Sequence, residues 1–425
     1  MFLAIWRRPL GRLGVAILLG GVAGALCGIS IALFLWLLDA ATGWRDAQTA
    51  IVWALPLAGL AIGAFWERHG GPIRGGTGLI IDTLHDGGPP VPLRMTPMVL
   101  FGSVLTHLFG GSAGREGAAV QMGASLSDQV AVRFGLSASW RRQMLAAGAA
   151  GGFGAVFGTP IAGLLFGLEF ASVGRLDARA ALPALVAAVV GDRITLALGV
   201  VHTPYSAAPS LAIDAALVGK WALFAIAVAL TAATFIELTH ALKRHGERWF
   251  PRLPVRMAVG GALVVLLWQL SGTNDFLGLG LPTILRAFHD PALPEWTFAA
   301  KIVFTAVTIG AGFLGGEVTP LFFIGAALGN ALADPLGLPL PLAAGVGLAA
   351  MFAAASNTPV ALTVMAVELF GAHVLPHVAL VAFLATVLTG PRSIYMAQRR
   401  LHLERIEWSF SLRKRSDRLS KRSGR

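Results

Sequence analysis

Apolar residues run without a charged side chain over 13–38, 257–274, 335–367 and 369–391. Each run is at least as long as the roughly 18 residues at which a stretch reads as a membrane span. Shorter apolar runs over 51–66, 98–110 and 318–333 predict half-spans, or helices broken by glycine and proline. The expected fold class is therefore all-α, a polytopic membrane protein with several broken helices.

Composition agrees. Only 13% of the 425 residues are charged, against about 25% in a soluble domain, and the mean hydropathy is +0.72. The 52 glycines and 23 prolines make broken helices expected. In a bilayer these persist only where the freed backbone is buried in protein or lines a cavity.

The net charge of +11 is informative by position. Arg7, Arg8 and Arg12 precede the first long run, and Arg413, Lys414, Arg415, Arg418, Lys421, Arg422 and Arg425 close the chain. The positive-inside rule places both termini in the cytoplasm, with a bacterial inner membrane as the expected cell membrane. Orientation accounts for the basic tail without a nucleic-acid partner. The run 13–38 follows basic residues as a signal peptide would, but it exceeds the roughly 7–15 residues of an h-region and reads as a retained span. Cys27, the only cysteine, lies within it, so no intrachain disulfide is possible and packing is its expected role.

The chain also repeats itself. GTPIAGLLFGLEF at 158–170 aligns with NTPVALTVMAVEL at 357–369, pairing Thr159 with Thr358, Pro160 with Pro359, Ala162 with Ala361 and Glu169 with Glu368. GTGL at 76–79 matches GLGL at 278–281, and Gly114 and Gly123 match Gly316 and Gly325 after one small indel. Two halves are expected, 13–205 and 206–398, between a short terminus at 1–12 and a basic tail at 399–425. The loop expected at 39–50, after the first long run, holds one arginine against two aspartates, whereas its counterpart at 240–256 holds Lys243, Arg244, Arg248, Arg252 and Arg256. Basic in one half and not in the other is the mark of inverted topology, which puts a substrate site near the midplane where half-helix starts converge.

Three glycine-rich segments stand at candidate helix starts: RGGTGLIID at 74–82, GREGAAVQ at 114–121 and GGEVTPLF at 315–322. Free N–H groups at a helix start bind anions without a full positive charge. Thr77 and Thr319 would add hydroxyl donors, and Pro320 suits a first turn. An ionisable side chain at membrane depth costs roughly 2.5–3.5 kcal/mol even on the lenient scale, so Arg115 and Glu116 imply function. Helix neighbours one residue apart do not face each other, so they are not expected to be merely each other's salt bridge. Gly110, Gly111 and Gly123 read as packing positions, and Glu169 and Glu368 as residues that hold helix ends. His373 and His377 have metal-like spacing, but no acid or cysteine nearby completes a site, and no metal or cofactor is expected.

With these motifs in order, the chain resembles the CLC family of chloride channels and anion/proton antiporters over nearly its whole length, from the first long run to Tyr395. GREG is similar to the family's gating-glutamate motif, which implies Glu116 as the gate. SIYMAQR implies the Tyr395 hydroxyl at the inner end of the anion path. The family also implies a homodimer with a pore in each subunit. Where chloride-type members carry a serine-containing GSGIP, this chain has GGTGLI; where they carry GxFxP, it has GEVTP. GGEVTPLFFIGA and SNTPVALT resemble the fluoride-transporting branch. That branch often has methionine or asparagine near Thr77, which leaves the role of Thr77 open. Phe170 stands where proton-coupled chloride members often carry a second glutamate, so Glu317 is the candidate inner acid.

The expected function is proton-coupled fluoride export, conferring fluoride resistance. Glu116 and Glu317 would transfer protons, and Thr77, Gly78, Gly114, Arg115, Gly117, Gly316, Val318, Thr319 and Tyr395 would hold the anion. Fluoride is strongly hydrated, so its site must replace water with short, strong hydrogen bonds. The alternatives are a chloride or general anion channel or antiporter of the same family and, more distantly, an intramembrane serine hydrolase, because GGSAG at 110–114 fits G-x-S-x-G.

Overall fold

The computed structural model describes residues 9–205 and 209–400. Arg7, Arg8, residues 206–208 and the basic tail beyond Arg400 lie outside the described residues.

Sixteen α-helices follow one another: α1 (Pro9–Ala47), α2 (Leu55–His69), α3 (Thr77–Asp86), α4 (Met95–Leu108), α5 (Glu116–Arg133), α6 (Ala138–Phe157), α7 (Pro160–Glu169) and α8 (Ala181–Ala197), then α9 (Ala215–Trp249), α10 (Leu253–Ser271), α11 (Leu281–Arg286), α12 (Thr297–Ala311), α13 (Val318–Leu336), α14 (Leu340–Ser356), α15 (Pro359–Phe370) and α16 (Leu375–Thr389). A two-residue parallel pairing joins β1 (Ser172–Val173) to β2 (Arg399–Arg400).

The helices sort into a buried centre and a lipid-facing shell. In α6 every residue from Met144 to Phe157 is buried, and in α14 every residue from Leu342 to Ser356. A helix apolar all round belongs in the interior. Around this centre, outer helices present Leu18, Leu57, Leu270 and Val387, each more than half exposed. The bilayer is the solvent for those positions, because no water is available to favour polar side chains there.

Close contact in the centre depends on glycine. A Cβ on Gly123 of α5 would overlap the Gly148 carbonyl of α6, and one on Gly325 of α13 would overlap the Gly347 carbonyl of α14. Cys27 fills the adjoining space, its thiol 3.6 Å from the Gly148 carbonyl oxygen. Lipid gives no hydrophobic drive between helices, so backbone approach through small residues supplies the packing energy instead. The two halves pack in the same order: α5 on α6, α6 on α7 and α8, α1 on α8; then α13 on α14, α14 on α15 and α16, α9 on α16.

Glu169 and Glu368 hold helix ends, and they do so reciprocally. Glu368, near the end of α15, accepts from Ile161 N (3.0 Å) and Ala162 N (2.7 Å) at the start of α7. Glu169, the last residue of α7, accepts from Val360 N (3.1 Å) and Ala361 N (2.8 Å) at the start of α15. Each carboxylate satisfies orphan amides and complements the helix dipole of the other half.

Four local expectations change. The run 335–367 is not one span: α13 ends at Leu336, α14 and α15 follow, and Asn357 takes φ +56 just before Pro359. A left-handed residue followed by proline cannot continue a helix. The expected half-span at 51–66 joins a 3-10 turn to α2, and Thr49–His69 is long and apolar enough to cross a membrane. Residues 39–47, expected in a loop, belong to α1, and Arg45 is buried and donates to the His107 carbonyl at 3.1 Å. Spans at Ala178–Ala197 and Ala215–Trp249 carry Asp192, Arg193, Lys220 and Glu237, so a charge-free criterion passes over them.

Gly123→Ala and Gly325→Ala are expected to destabilise the fold by about 1–3 kcal/mol each through overpacking. Gly21→Ala, which opens onto free space, is the control. Thermal unfolding of the purified protein in detergent, followed by size-exclusion, measures the difference.

Candidate functional site

All three glycine-rich segments do start helices. α3 begins at Thr77 after Gly76 (φ 54), α5 at Glu116 and α13 at Val318. The second and third are locked together by an antiparallel pairing of Gly114 with Gly316. Gly114 N donates to Gly316 O at 2.6 Å and Gly316 N to Gly114 O at 2.7 Å. The strands of this bridge approach too closely for side chains: a Cβ on Gly114 would lie 2.9 Å from Thr319 N, and one on Gly117 would lie 3.0 Å from the Gly316 Cα. Glycine is therefore required at the point where the two helix starts meet.

The Glu116 carboxylate sits at that meeting point, 1% exposed. Thr319 N donates to its Oε2 at 3.1 Å, and the Thr319 hydroxyl lies 2.6 Å from both carboxylate oxygens. Arg115 N donates to Oε2 at 3.1 Å. The acid thus takes the donors at the start of α13, as helix-start amides accept a negative charge. Val318, the first residue of α13, is buried alongside.

Arg115 and Glu116 also touch, although Glu116 is not merely the partner of Arg115, since Thr319 holds it as well. Arg115 Nε is 3.5 Å from Glu116 Oε1. Arg115 is the residue before the helix, with φ −110 and ψ −23, and its neighbour's side chain turns back toward it, so the spacing rule for helix interiors does not govern the pair.

Three expected members stand apart from this carboxylate. Thr77 Oγ1 accepts from Gln121 Nε2 at 3.3 Å, and Gly78 faces the side chain of Ala397. Among the described residues no hydrogen bond joins Thr77 to Glu116. Glu317 precedes α13 without capping it. It lines a 490 Å³ cavity with Arg74, His240, Lys243, Glu247 and Arg256, and the hydrogen bonds to the Glu116 carboxylate come from Thr319 and from Arg115 N.

Tyr395 is 7% exposed and meets Phe170 edge-on at 6.5 Å. Gln398, which lies in SIYMAQR but was given no role from the sequence, fixes the turn that carries it. Its Nε2 donates to Phe170 O (3.0 Å) and Ser356 O (2.9 Å), while its Oε1 accepts from Asn357 Nδ2 (3.1 Å) and Ser393 Oγ (2.9 Å). All four bonds of the amide are used.

The loop before GREG is pinned by polar contacts. Thr308 Oγ1 accepts from Ser112 N at 3.1 Å, the Ser112 hydroxyl pairs with Thr305 at 2.9 Å, and His107 Nε2 lies 2.9 Å from Ala113 O. Ser112 therefore has a threonine, not a histidine, as its partner, and it sits between helices rather than on a strand-to-helix elbow. His377 packs in the bundle, accepting from Trp221 Nε1 at 3.1 Å. Lys301, fully buried, donates to Phe276 O (3.0 Å) and Gly278 O (2.8 Å), which satisfies the carbonyls ahead of α11.

A broken-helix membrane bundle with an acid lodged between two opposed helix starts defines a class of ion transporter, and comparison with known proteins agrees. Residues 58–390 match the family profile described as voltage gated chloride channel. A chloride/fluoride channel protein of Pseudomonas syringae pv. tomato is 45% identical over 392 residues, covering 90% of this chain and 85% of that protein. The H(+)/Cl(-) exchange transporter ClcA of Vibrio cholerae is 27% identical over 423 residues, covering 93% and 90%. The crystal structure of a CLC-type fluoride/proton antiporter superposes with a TM-score of 0.89 at 33% identity, covering 91% of this chain and 98% of that one. The chain belongs to the CLC family of voltage gated chloride channels and antiporters. It is a multi-pass membrane protein for anion transport, not an enzyme.

Replacing Glu116 by alanine vacates the donors on α13, and a small anion is expected to bind there. Adding Thr319→Val removes a hydrogen bond to a charged ligand and should weaken binding by on the order of tenfold or more, while Thr319→Ser retains it. Isothermal titration of the purified variants with fluoride reads the difference.

Proposed function

We propose that this protein exchanges fluoride for protons, with Glu116 as its gate. The observation that carries the reading is the placement of the Glu116 carboxylate on Thr319 N, Thr319 Oγ1 and Arg115 N. A carboxylate and a fluoride cannot share those donors, because like charges in a low-dielectric interior repel strongly. Protonation removes the charge, the side chain leaves, and the anion takes the vacated donors. Anion movement in one direction is thereby linked to proton movement in the other, and an inward proton gradient expels fluoride.

Several features support fluoride as the anion. Thr319 supplies two donors from one residue, an amide and a hydroxyl, close enough to serve one small ion. Such charge-assisted bonds are short and about twice as strong as neutral ones, which is what a tightly hydrated ion requires on losing its water. The likeness to a fluoride/proton antiporter at 33% identity and to a chloride/fluoride channel protein at 45% points the same way.

Glu317 acts as the inner proton acceptor. Its cavity gathers Arg74, Lys243 and Arg256, cations that also draw anions toward the path, and the Tyr395 hydroxyl serves the inner end of the anion path. Positive-inside orientation puts this basic cavity and both termini on the cytoplasmic side. Residues 13–205 and 206–398 act as inverted repeats, and two copies associate as a homodimer with one path each.

Purified protein in liposomes loaded with fluoride or chloride tests the reading, with anion electrodes and external pH recorded together. Fluoride efflux is expected to exceed chloride efflux by on the order of tenfold or more, with proton uptake in step. Glu116→Gln and Glu317→Gln should each lose the proton uptake. Equal rates for chloride and fluoride would reject fluoride as the substrate; proton coupling preserved in Glu116→Gln would reject the gate.

A further inference from the structure

Between α2 and α4 runs a groove of 580 Å³ that opens on the lipid-facing surface. It exists because the two helices are each committed elsewhere. α2 is drawn against α10 through Gly59 and Gly63, where a Cβ would press on Met257 and Pro254, while α4 packs on α1 and α5 and meets α2 only thinly. The walls are Ile62, Phe65 and Trp66 on one side and Met98, Phe101 and Leu105 on the other, with no charged side chain among the lining residues. Phe65 and Phe101 are more than half exposed.

One end of the groove is basic. Arg68 and His69 lie one turn beyond Phe65 at the end of α2, and Arg94 lies one turn before Met98 at the start of α4; all three are exposed. The Arg94 guanidinium is folded against Gly71, in the turn that follows Arg68 and His69. Neither Arg68 nor Arg94 forms an ion pair among the described residues, and the nearby Glu67 carboxylate accepts from Leu253 N at 3.3 Å. From Met98 to Leu105 the groove runs about 10 Å along α4, a substantial part of one leaflet's hydrocarbon depth of about 15 Å.

We infer that this groove is a binding site for an anionic phospholipid, with one acyl chain lying between α2 and α4 and the headgroup phosphate on Arg68 and Arg94. Apolar walls ending in unpaired cations complement a lipid in charge and in length, and basic pockets between spans on the cytoplasmic side recognise acidic headgroups. The chain reaches the transport machinery through Leu314, which closes the groove floor and is seated against Gly102. Leu314 leads directly into Gly315 and Gly316, whose bridge to Gly114 sets the two helix starts. Lipid packed on Leu314 holds that turn in place. Only the choice of leaflet rests on the proposed orientation; lipid binding is independent of which anion is carried.

Full-length protein in mild detergent, mixed with equal amounts of phosphatidylglycerol and phosphatidylcholine of the same chains, is read by native mass spectrometry. The parent is expected to retain phosphatidylglycerol about tenfold over phosphatidylcholine, and Arg68→Gln with Arg94→Gln should bring the ratio near unity. Ala61→Trp, at an exposed wall position, should reduce retention of both lipids. In liposomes, phosphatidylglycerol should speed fluoride efflux by the parent and not by the double variant. An unchanged lipid preference in the double variant overturns the site. So does undiminished lipid retention in Ala61→Trp, or a change in its oligomeric mass, which would make a second copy the occupant. Loss of the lipid preference without any effect on efflux confines the inference to binding and overturns the link through Leu314. Because retention is read without transport, failure of the fluoride assignment leaves this test intact.

Discussion

Everything in the centre of this molecule depends on two pieces of backbone that leave their helices inside the membrane and satisfy each other. Gly114 and Gly316 exchange both hydrogen bonds, at 2.6 and 2.7 Å, in a place where no water could take them. Their mutual approach brings the starts of α5 and α13 to one point. Two helix starts that converge leave more donors than the backbone can use. The spare amide of Thr319, with its hydroxyl, meets the Glu116 carboxylate, and the site follows from that surplus.

A second pair of helix starts meets the same requirement differently. α7 and α15 are capped across the repeat by Glu368 and Glu169, each with two backbone donors. Those acids come from the opposite half, so each ties one half to the other. Glu116 instead belongs to the α5 helix start itself and reaches across to α13. In the proposed exchange it can leave, because the Gly114–Gly316 bridge keeps the two helices in place without it. The fold thus separates caps that join the halves from an acid that, in the proposed exchange, changes position.

Around the site, polarity is rationed by position. The 490 Å³ cavity that Glu317 lines gathers Arg74, Lys243, Glu247 and Arg256. Two buried cations are tied to backbone carbonyls, Lys301 to Phe276 and Gly278 and Arg45 to His107. Tyr395 owes its place to Gln398, whose amide binds the ends of α7 and α14 together. The α2/α4 groove lies at the outer edge of the same turn that carries Gly316, which is how the lipid-facing surface and the site come to share Leu314.

The sequence by itself determined where helices begin, because that is local chemistry: paired glycines, a proline in the first turn, and an acid or hydroxyl beside them. It therefore disclosed the three helix starts, Glu116 with Thr319, and the repeat whose glutamates hold helix ends. Charge-free length was a poorer guide. It joined α14 to its neighbours across Asn357 and passed over the spans that carry Asp192 and Lys220, since burial against other helices, not composition, makes those breaks and charges tolerable. Only the tertiary structure decided which helix starts meet. α5 and α13 do, whereas α3 presents Thr77 to Gln121 and Glu317 lines a cavity. The Arg115–Glu116 contact likewise arises because the chain has already left the helix there. These are distances between segments some forty to two hundred residues apart or dihedrals at a single break, and no spacing along the chain encodes either.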